Sequence, residues 1–322
     1  MEFNAQNPLR LGTRKSALAL AQTHSVCAAL KQAFPELAAE GALHIVKIET
    51  LGDQTQSANL SLVEHGGKAL WATEHESAIR NGDIDCAVHS VKDIPGHMPD
   101  DMVMPCILPR ENPFDVFLSP KADHFDDLPK GAIVGTSSPR RAAVTLARRP
   151  DIEIHTFRGN VESRLAKLAA GVVDGTYLAY AGLQRAELTR HIQTVLGASD
   201  MVPAVGQGAI GIEFLKDRKD LAEIFGKIHC EQSGMCVAAE RGWLKMMDGS
   251  CKSPLGAYAY FSENNENEMT LHYFAATLDG SDTRTGVHTA KIGNEDEARD
   301  WGVCLGRDLK ASLPAGFIAE EI

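Results

Sequence analysis

Through its first two hundred residues the chain alternates short apolar runs with longer stretches of helical periodicity, and few fold classes accept that rhythm. Strands are expected at 9–13, 44–50 and 85–89, with helices from about residue 16 to before Pro35 and over 69–81. The alternation breaks at Leu108-Pro109-Arg110-Glu111-Asn112-Pro113, where two prolines bracket charged residues and mark a linker. It then resumes with strands at 132–136, 152–157 and 176–180 around helices that begin after Ser138-Pro139 and at 161–170. Ser138 is placed to cap a helix whose first position is Pro139, and Asn160 to cap the next, which Gly171 ends. A βαβα order of this kind implies mostly parallel sheets covered by helices on both faces. After Gly208 a strand at 209–214 and a short helix follow. From about residue 237 the pattern changes to a helix, strands at 255–261, 269–278 and 286–292, and a closing helix from 295, which reads as a small α+β domain. The expectation is two α/β lobes sharing a cleft, with a tail domain.

Length and charge narrow the function. A chain of 322 residues is long for a single core. A formal charge of −11 argues against a general nucleic-acid or anionic-membrane binder, because the overall field repels phosphate. Seven cysteines without a CxxC pair suit reduced thiols in a cytosol better than a disulfide framework. Cys27, Cys86, Cys236 and Cys304 fall in apolar periodic segments and are expected to be buried. Arg14 and Lys15 precede an apolar run at 17–21 that is too short for a secretion signal, and no run approaches a membrane span. A cytoplasmic protein is expected.

Against that acidic background one segment is basic. Between Arg140 and Lys167 lie Arg140, Arg141, Arg148, Arg149, Arg158, Arg164 and Lys167, seven cations against the three anions Asp151, Glu153 and Glu162. Arg148, Arg149 and Lys167 suit a solvated helix face equally well. Arg140, Arg141, Arg158 and Arg164 sit near helix starts that follow strands, where open α/β sheets bind ligands and helix dipoles favour anions. Thr136, Ser137 and Ser138 add hydroxyls there, and arginine suits bidentate capture of carboxylate or phosphate. Thr13-Arg14-Lys15-Ser16 repeats the design after the first strand. Cationic helix entrances on both lobes favour a ligand with many negative groups.

Three further features stand out. Lys92 and Asp93, in His89-Ser90-Val91-Lys92-Asp93-Ile94-Pro95, lie where a doubly wound sheet places catalytic groups, although on spacing alone an exposed turn with a local ion pair is the commoner outcome. Gly206-Gln207-Gly208-Ala209-Ile210-Gly211 matches GxGxxG, but a strand follows the glycines where a dinucleotide site needs a helix. Cys251, in Asp248-Gly249-Ser250-Cys251-Lys252, sits in a turn beside a lysine that could favour its thiolate, although a loop cysteine is more often inert than reactive. Twelve histidines show no metal-ligand spacing, so no metal is inferred.

In order, LGTRKSALALAQ, GGKALW, HSVKDIP, GTSSPRR, RGNVESRL, LAYAGLQR, PAVGQGAIGIE and GSCKSPLG resemble the porphobilinogen deaminase (hydroxymethylbilane synthase) family, from Leu9 to beyond Cys251. The resemblance implies an enzyme that condenses four porphobilinogens head to tail into hydroxymethylbilane, releasing ammonia at each addition. It implies periplasmic-binding-protein-like lobes around a cleft plus a third domain, here 1–108 with 206–226, then 109–205, then 227–322 carrying the cofactor cysteine. By motif, Cys251 would hold a dipyrromethane cofactor through a thioether. Asp93 would contact pyrrole N–H groups, serve in proton transfer and stabilise a cationic azafulvene. Arg14, Ser16, Lys92, Thr136, Ser137, Ser138, Arg140, Arg141, Arg158, Arg164 and Arg185 would bind acetate and propionate side chains, with Gln22, Lys68 and Gln207 nearby. The family also suggests a monomer. Ala69, Trp71, Thr73, Ala21, Tyr180, Ser250 and Phe114 depart from the family pattern without removing a catalytic group, and Trp71 reads equally well as a core residue or as one that reports closure of a lid at 52–68.

The rival is a non-catalytic two-lobed protein that binds or senses a polyanionic small molecule. Such a protein needs the arginines but neither Asp93 nor a modified Cys251. A nucleic-acid role for the basic segment is weakened by its lone aromatic, Phe157, and by the global charge.

Overall fold

The computed structural model describes residues 3–50, 72–247, 253–262 and 265–318. The chain forms two compact units, Met1–Arg110 with Ala209–Gly234, and Glu111–Gly208 with Met235–Ile322. The division falls inside the linker expected between the two prolines.

In the first unit, β1 (Leu9–Arg14), β2 (Leu43–Ile48) and β3 (Cys86–Ser90) form a parallel trio with β1 in the middle. The strand Ile210–Leu215, β10 in chain order, runs antiparallel between β3 and the edge strand β4 (Met102–Ile107). Helix α1 (Ala17–Ala33) starts where Ser16 Oγ accepts the Ala19 N–H, the cap satisfying an orphan donor of the first turn. Its Val26 and Leu30 pack with Leu9, Leu11, Ile212 and Phe214 into a solvent-free core. Each such side chain contributes about 1.5–3 kcal/mol on burial. Helix α2 (Thr73–Arg80) lies over a second, smaller cluster with Ile79, Ile84 and Ala87.

The second unit repeats the order. The parallel trio β6 (Ile133–Gly135), β7 (Glu153–His155) and β8 (Gly175–Ala179) has β6 in the middle. An antiparallel strand, β5 (Asp115–Leu118), separates β8 from the edge strand β9 (Thr194–Leu196). Second, first, third, antiparallel, edge: both sheets follow this sequence, and they differ only in where the antiparallel strand enters from. Helices α3 (Pro139–Arg148), α4 (Val161–Ala169) and α5 (Tyr180–Arg185) follow β6, β7 and β8. Ser138 and Asn160 cap the first two as expected, accepting from Arg141 N and Ser163 N.

Between the sheets in sequence run α6 (Lys219–Gly226) and α7 (Glu231–Met246). The antiparallel meander β11 (Leu255–Ser262), β12 (Asn265–Ala276) and β13 (Thr283–Lys291) and the helix α8 (Glu295–Ser312) complete the chain. Helices α7 and α8 touch closely at Gly302, where a Cβ would lie 2.0 Å from the Ala239 carbonyl oxygen. Met269 and Leu271 face these helices, while Phe274 and Ala276 join Val134 and Tyr177 in the core beneath the second five-stranded sheet.

The α/β lobes and the small tail therefore stand as expected, with two differences. Strands β4, β5 and β9 were not foreseen. Cys304, expected to be buried, is exposed, because α8 buries Ala298, Gly302, Gly306 and Leu309, a face that passes Cys304 by. Among the described residues no helix is long and apolar enough to cross a membrane.

Candidate active site

In the first unit the expected residues gather at the carboxyl ends of β1 and β3. Thr13 is fully buried, its hydroxyl donating to the Ala19 carbonyl at 3.2 Å, which ties the strand end to the first turn of α1. Arg14 is half-buried beside the capping Ser16. Lys15 is turned outward into a surface pair with Glu49 at 2.9 Å. Gln22, one turn further along α1, is buried, and its Nε2 donates to Ser90 Oγ at 2.7 Å. That contact fastens the last residue of β3 to the helix. The next three residues, Val91–Asp93, form a 3₁₀ turn held by the Val91 N–H donating to the Ala209 carbonyl. Lys92 and Asp93 emerge from it half-buried. Among the described residues Asp93 has neither a hydrogen-bond nor an ion-pair partner, so its carboxylate is available to a ligand.

In the second unit the geometry is dominated by a residue that sequence reasoning missed. Asp115, first residue of β5, is fully buried and accepts from Arg140 Nη2 at 2.6 Å, Arg141 Nη2 at 2.7 Å and Gln207 Nε2 at 3.0 Å. Burial alone would push its carboxyl up, but the fields and hydrogen bonds of the two arginines prevail and hold it well below the usual carboxylate range. Arg140 and Arg141 are themselves buried and occupy the first turn of α3. Their Nη1 atoms donate to the Val202 and Tyr177 carbonyls at 2.8 and 3.0 Å. Burial, opposed by Asp115, lowers the Arg140 pKa.

The other arginines carry less compensation. Arg164, half-buried on α4, donates through Nε to the Gly159 carbonyl at 2.8 Å and has no acidic partner among the described residues. Burial, and after it the neighbouring Arg141, push its pKa down to about 10, which leaves it charged at neutral pH. Arg185 donates to the Gly208 carbonyl at 2.7 Å, with Glu111 3.9 Å away. Gly208 has φ +87, and a Cβ there would lie 2.4 Å from the Glu111 carbonyl oxygen, so the glycine is what lets this loop come close. Arg158 is half-buried just before α4. Thr136, Ser137 and Ser138 serve the backbone: Thr136 Oγ1 accepts the Ser138 N–H, Ser137 Oγ donates to the Phe157 carbonyl, and Ser138 caps α3.

Three cations of the basic segment are taken up elsewhere. Arg148 pairs with Asp126 and stacks 4.8 Å over the Phe125 ring, Arg149 pairs with Asp151 at 2.7 Å, and Lys167 donates to the Arg158 carbonyl. Lys68, Trp71 with the lid at 52–68, Ser250 and Cys251 lie outside the described residues. The glycines of GxGxxG lead into β10, a strand, which removes the dinucleotide reading.

Around Arg140, Arg141, Arg164 and Arg185 the acidic partners among the described residues are Asp115 and, 3.9 Å from Arg185, Glu111, and the buried Nε atoms of Arg140, Arg141 and Arg185 have no hydrogen-bond partner there. Desolvated guanidinium groups without acceptors are costly unless a ligand supplies them. The arrangement defines a two-lobed α/β protein that concentrates guanidinium groups in its second unit and, among the described residues, leaves Asp93 in its first without a hydrogen-bond or ion-pair partner. Residues 9–223 match the family model described as porphobilinogen deaminase, dipyromethane cofactor binding domain, and residues 234–311 match its C-terminal domain. The chain belongs to the porphobilinogen deaminase family. It is 40% identical over 308 residues to the porphobilinogen deaminase of Rickettsia bellii, covering 95% of this chain and 99% of that one. Identity to the Paracoccus denitrificans enzyme is 40% over 97% of this chain and 96% of that one, and to the chloroplastic enzyme of Pisum sativum 40% over 96% and 83%. Among solved structures, the periplasmic aliphatic sulphonate binding protein SsuA of Escherichia coli aligns with a TM-score of 0.40 at 17% identity, over 74% of this chain and 69% of that one.

Proposed function

We propose that the chain is the transferase of tetrapyrrole biosynthesis that condenses four porphobilinogen molecules head to tail into hydroxymethylbilane with release of ammonia. The excess of guanidinium over carboxylate around Arg140, Arg141, Arg164 and Arg185 is the observation that carries this reading, because each pyrrole added brings an acetate and a propionate. A dipyrromethane cofactor fits the same unit, since its carboxylates would meet the Arg164 guanidinium and the Arg185 Nε, which has no hydrogen-bond partner among the described residues. When bound, it supplies the pyrrole carbon to which the first substrate is joined. Cys251 is the attachment point we assign to it.

Each residue then has a task. Arg14, Arg158, Arg164 and Arg185, with Arg140 and Arg141, bind acetate and propionate groups and fix the reacting rings. Ser16, Thr136, Ser137 and Ser138 shape the helix entrances beside them. Lys92 and Gln22 in the first unit, Gln207 in the second, and Lys68 are the further residues we assign by motif to ligand binding. Asp93 accepts pyrrole N–H hydrogen bonds and stabilises the positive charge that develops on the ring as ammonia departs, the kind of preorganised electrostatic effect that lowers a barrier most. It is also the group we assign to proton transfer. We divide the chain into 1–108 with 206–226, 109–205 and 227–322 on the motif resemblance; a sheet in each supports this, although the chain clusters into two compact units. We further read the protein as cytoplasmic with no nucleic-acid partner, on its cysteine pattern and acidic charge, and as a monomer on its family.

Intact mass tests the assignment. Denatured protein from an active preparation is expected to exceed its sequence mass by one dipyrromethane, mapping to the Cys251 peptide, and Cys251→Ala to lack both the mass and the activity. A binding or sensing protein would show the bare mass and tolerate the substitution. Full activity with unmodified Cys251 would overturn the assignment.

A further inference from the structure

The Asp115 carboxylate has no role in the chemistry above, yet it engages two of the arginines assigned to ligand carboxylates. Both Nη atoms of Arg140 are held, one by Asp115 and one by the Val202 carbonyl, and both Nη atoms of Arg141 likewise by Asp115 and the Tyr177 carbonyl. The Nε atoms of both are buried and have no acceptor among the described residues. A guanidinium gripped at two corners has lost its rotamer freedom before any ligand arrives, which removes much of the entropy cost of binding. The pair is also two like charges side by side at the positive end of α3, an arrangement that repels itself without an anion between. Asp115 reaches this spot because β5 inserts antiparallel beside β8 and begins with that residue, opposite Ala179. Gln207 holds the same carboxylate from a third side and donates to the Pro113 carbonyl at 2.7 Å, so the anion is itself anchored.

We propose that Asp115 is a positioning residue for the reaction: it locks Arg140 and Arg141 into one preformed unit that presents their Nε edges to a substrate carboxylate, with Gln207 as its own anchor. This rests on the reading that the two arginines bind porphobilinogen-derived carboxylates. A purely structural Asp115 would neutralise buried charge and nothing more. The two roles separate in the kinetics, because a positioning residue acts through its partners and loses its effect when they are gone.

The experiment is a double-mutant cycle on the holoenzyme, with kcat and KM for porphobilinogen measured for Asp115→Asn, Arg141→Ala and the double variant, and Asp115→Glu as a charge-conserving control. Asp115→Asn is expected to raise KM roughly tenfold or more with kcat changed far less, since binding geometry and not the chemical step is lost. In the Arg141→Ala background the same change should add less than about twofold, the mark of coupled sites. Asp115→Glu, which keeps the charge while displacing the carboxylate, should fold and still show a raised KM, so the question is answered even where the asparagine variant does not accumulate. An unchanged KM in Arg141→Ala would defeat the underlying reading of the arginines. A raised KM there, together with a wild-type KM in Asp115→Glu or fully multiplicative losses in the cycle, would overturn the positioning role alone.

Discussion

His89 Nε2 lies 2.8 Å from Glu213 Oε2, with both side chains almost wholly removed from solvent. The contact joins β3 to β10 four residues before Asp93, and the His75 ring stands edge-on to His89 at 5.2 Å. Removing the acceptor strands a buried ring nitrogen, so Glu213→Ala should lower stability by about 2–3 kcal/mol. The measurement is the urea midpoint, with an unchanged slope required for the comparison to hold. A shift smaller than about 0.5 kcal/mol would mean that the pair contributes no more than an ordinary surface contact.

Asp93 is free of partners among the described residues, so its replacement should leave the fold alone. Asp93→Asn keeps the shape and removes the charge. Turnover is expected to fall by about a hundredfold or more, the range for a lost acid–base or charge-stabilising group. Thermal midpoint and cofactor mass should match the parent. Near-normal turnover would remove Asp93 from the mechanism.

Arg164 and Arg148 make a matched contrast, because both are arginines of the same basic segment. Among the described residues Arg164 lacks an acidic partner and Arg148 has Asp126. Arg164→Ala should weaken porphobilinogen binding by about 2–5 kcal/mol, the cost of leaving a desolvated carboxylate unpaired. Arg148→Ala should change affinity by no more than about twofold, as for exposed pairs. Comparable losses at both positions would show that the anion site has been misplaced.

Glu76 gives a pH dependence of defined sign. Burial, and next the nearby Glu213, raise its pKa above the ordinary glutamate value. From about 4.3, the unfolded value, up to that raised value the folded protein holds the extra proton. Stability therefore falls as pH rises through the window. Glu76→Gln cannot titrate, so the stability difference in favour of the variant should grow as pH increases above about 4.3. Urea midpoints of both proteins across pH 4 to about 7 decide it, and a constant difference would contradict the assignment.

The helix starts were legible because a capping side chain and a proline act locally: Ser16, Ser138, Pro139 and Asn160 each mark the boundary that the structure shows. Strand β4 was hidden by Pro105, which a central strand rejects but an edge strand tolerates, and its pairing with β10 shifts register beside that proline. Strand β5 has only four residues, too few to show a period, and opens with an aspartate, a residue depleted in strands. What makes Asp115 burial tolerable is a pair of arginines 25 and 26 residues further on, a pairing that no local pattern announces. Arginines, glycines and caps were thus readable one at a time, whereas the carboxylate that organises them was visible only in three dimensions.

Strand β10 returns to the first sheet after the chain has made all five strands of the second. On the ribosome, then, the five-stranded sheet begun first is completed only after the second. Residues 115–196 hold every strand of their sheet, while β3 and β4 emerge without the strand that belongs between them. At roughly 5–20 residues per second, the hundred or so residues from β4 to β10 keep those two edges unpaired for several seconds or more. Unpaired edges are where nascent chains meet one another. Pro105 and the irregular pairing it brings sit on one of them, a blunted edge during the interval in which the chain has most need of it.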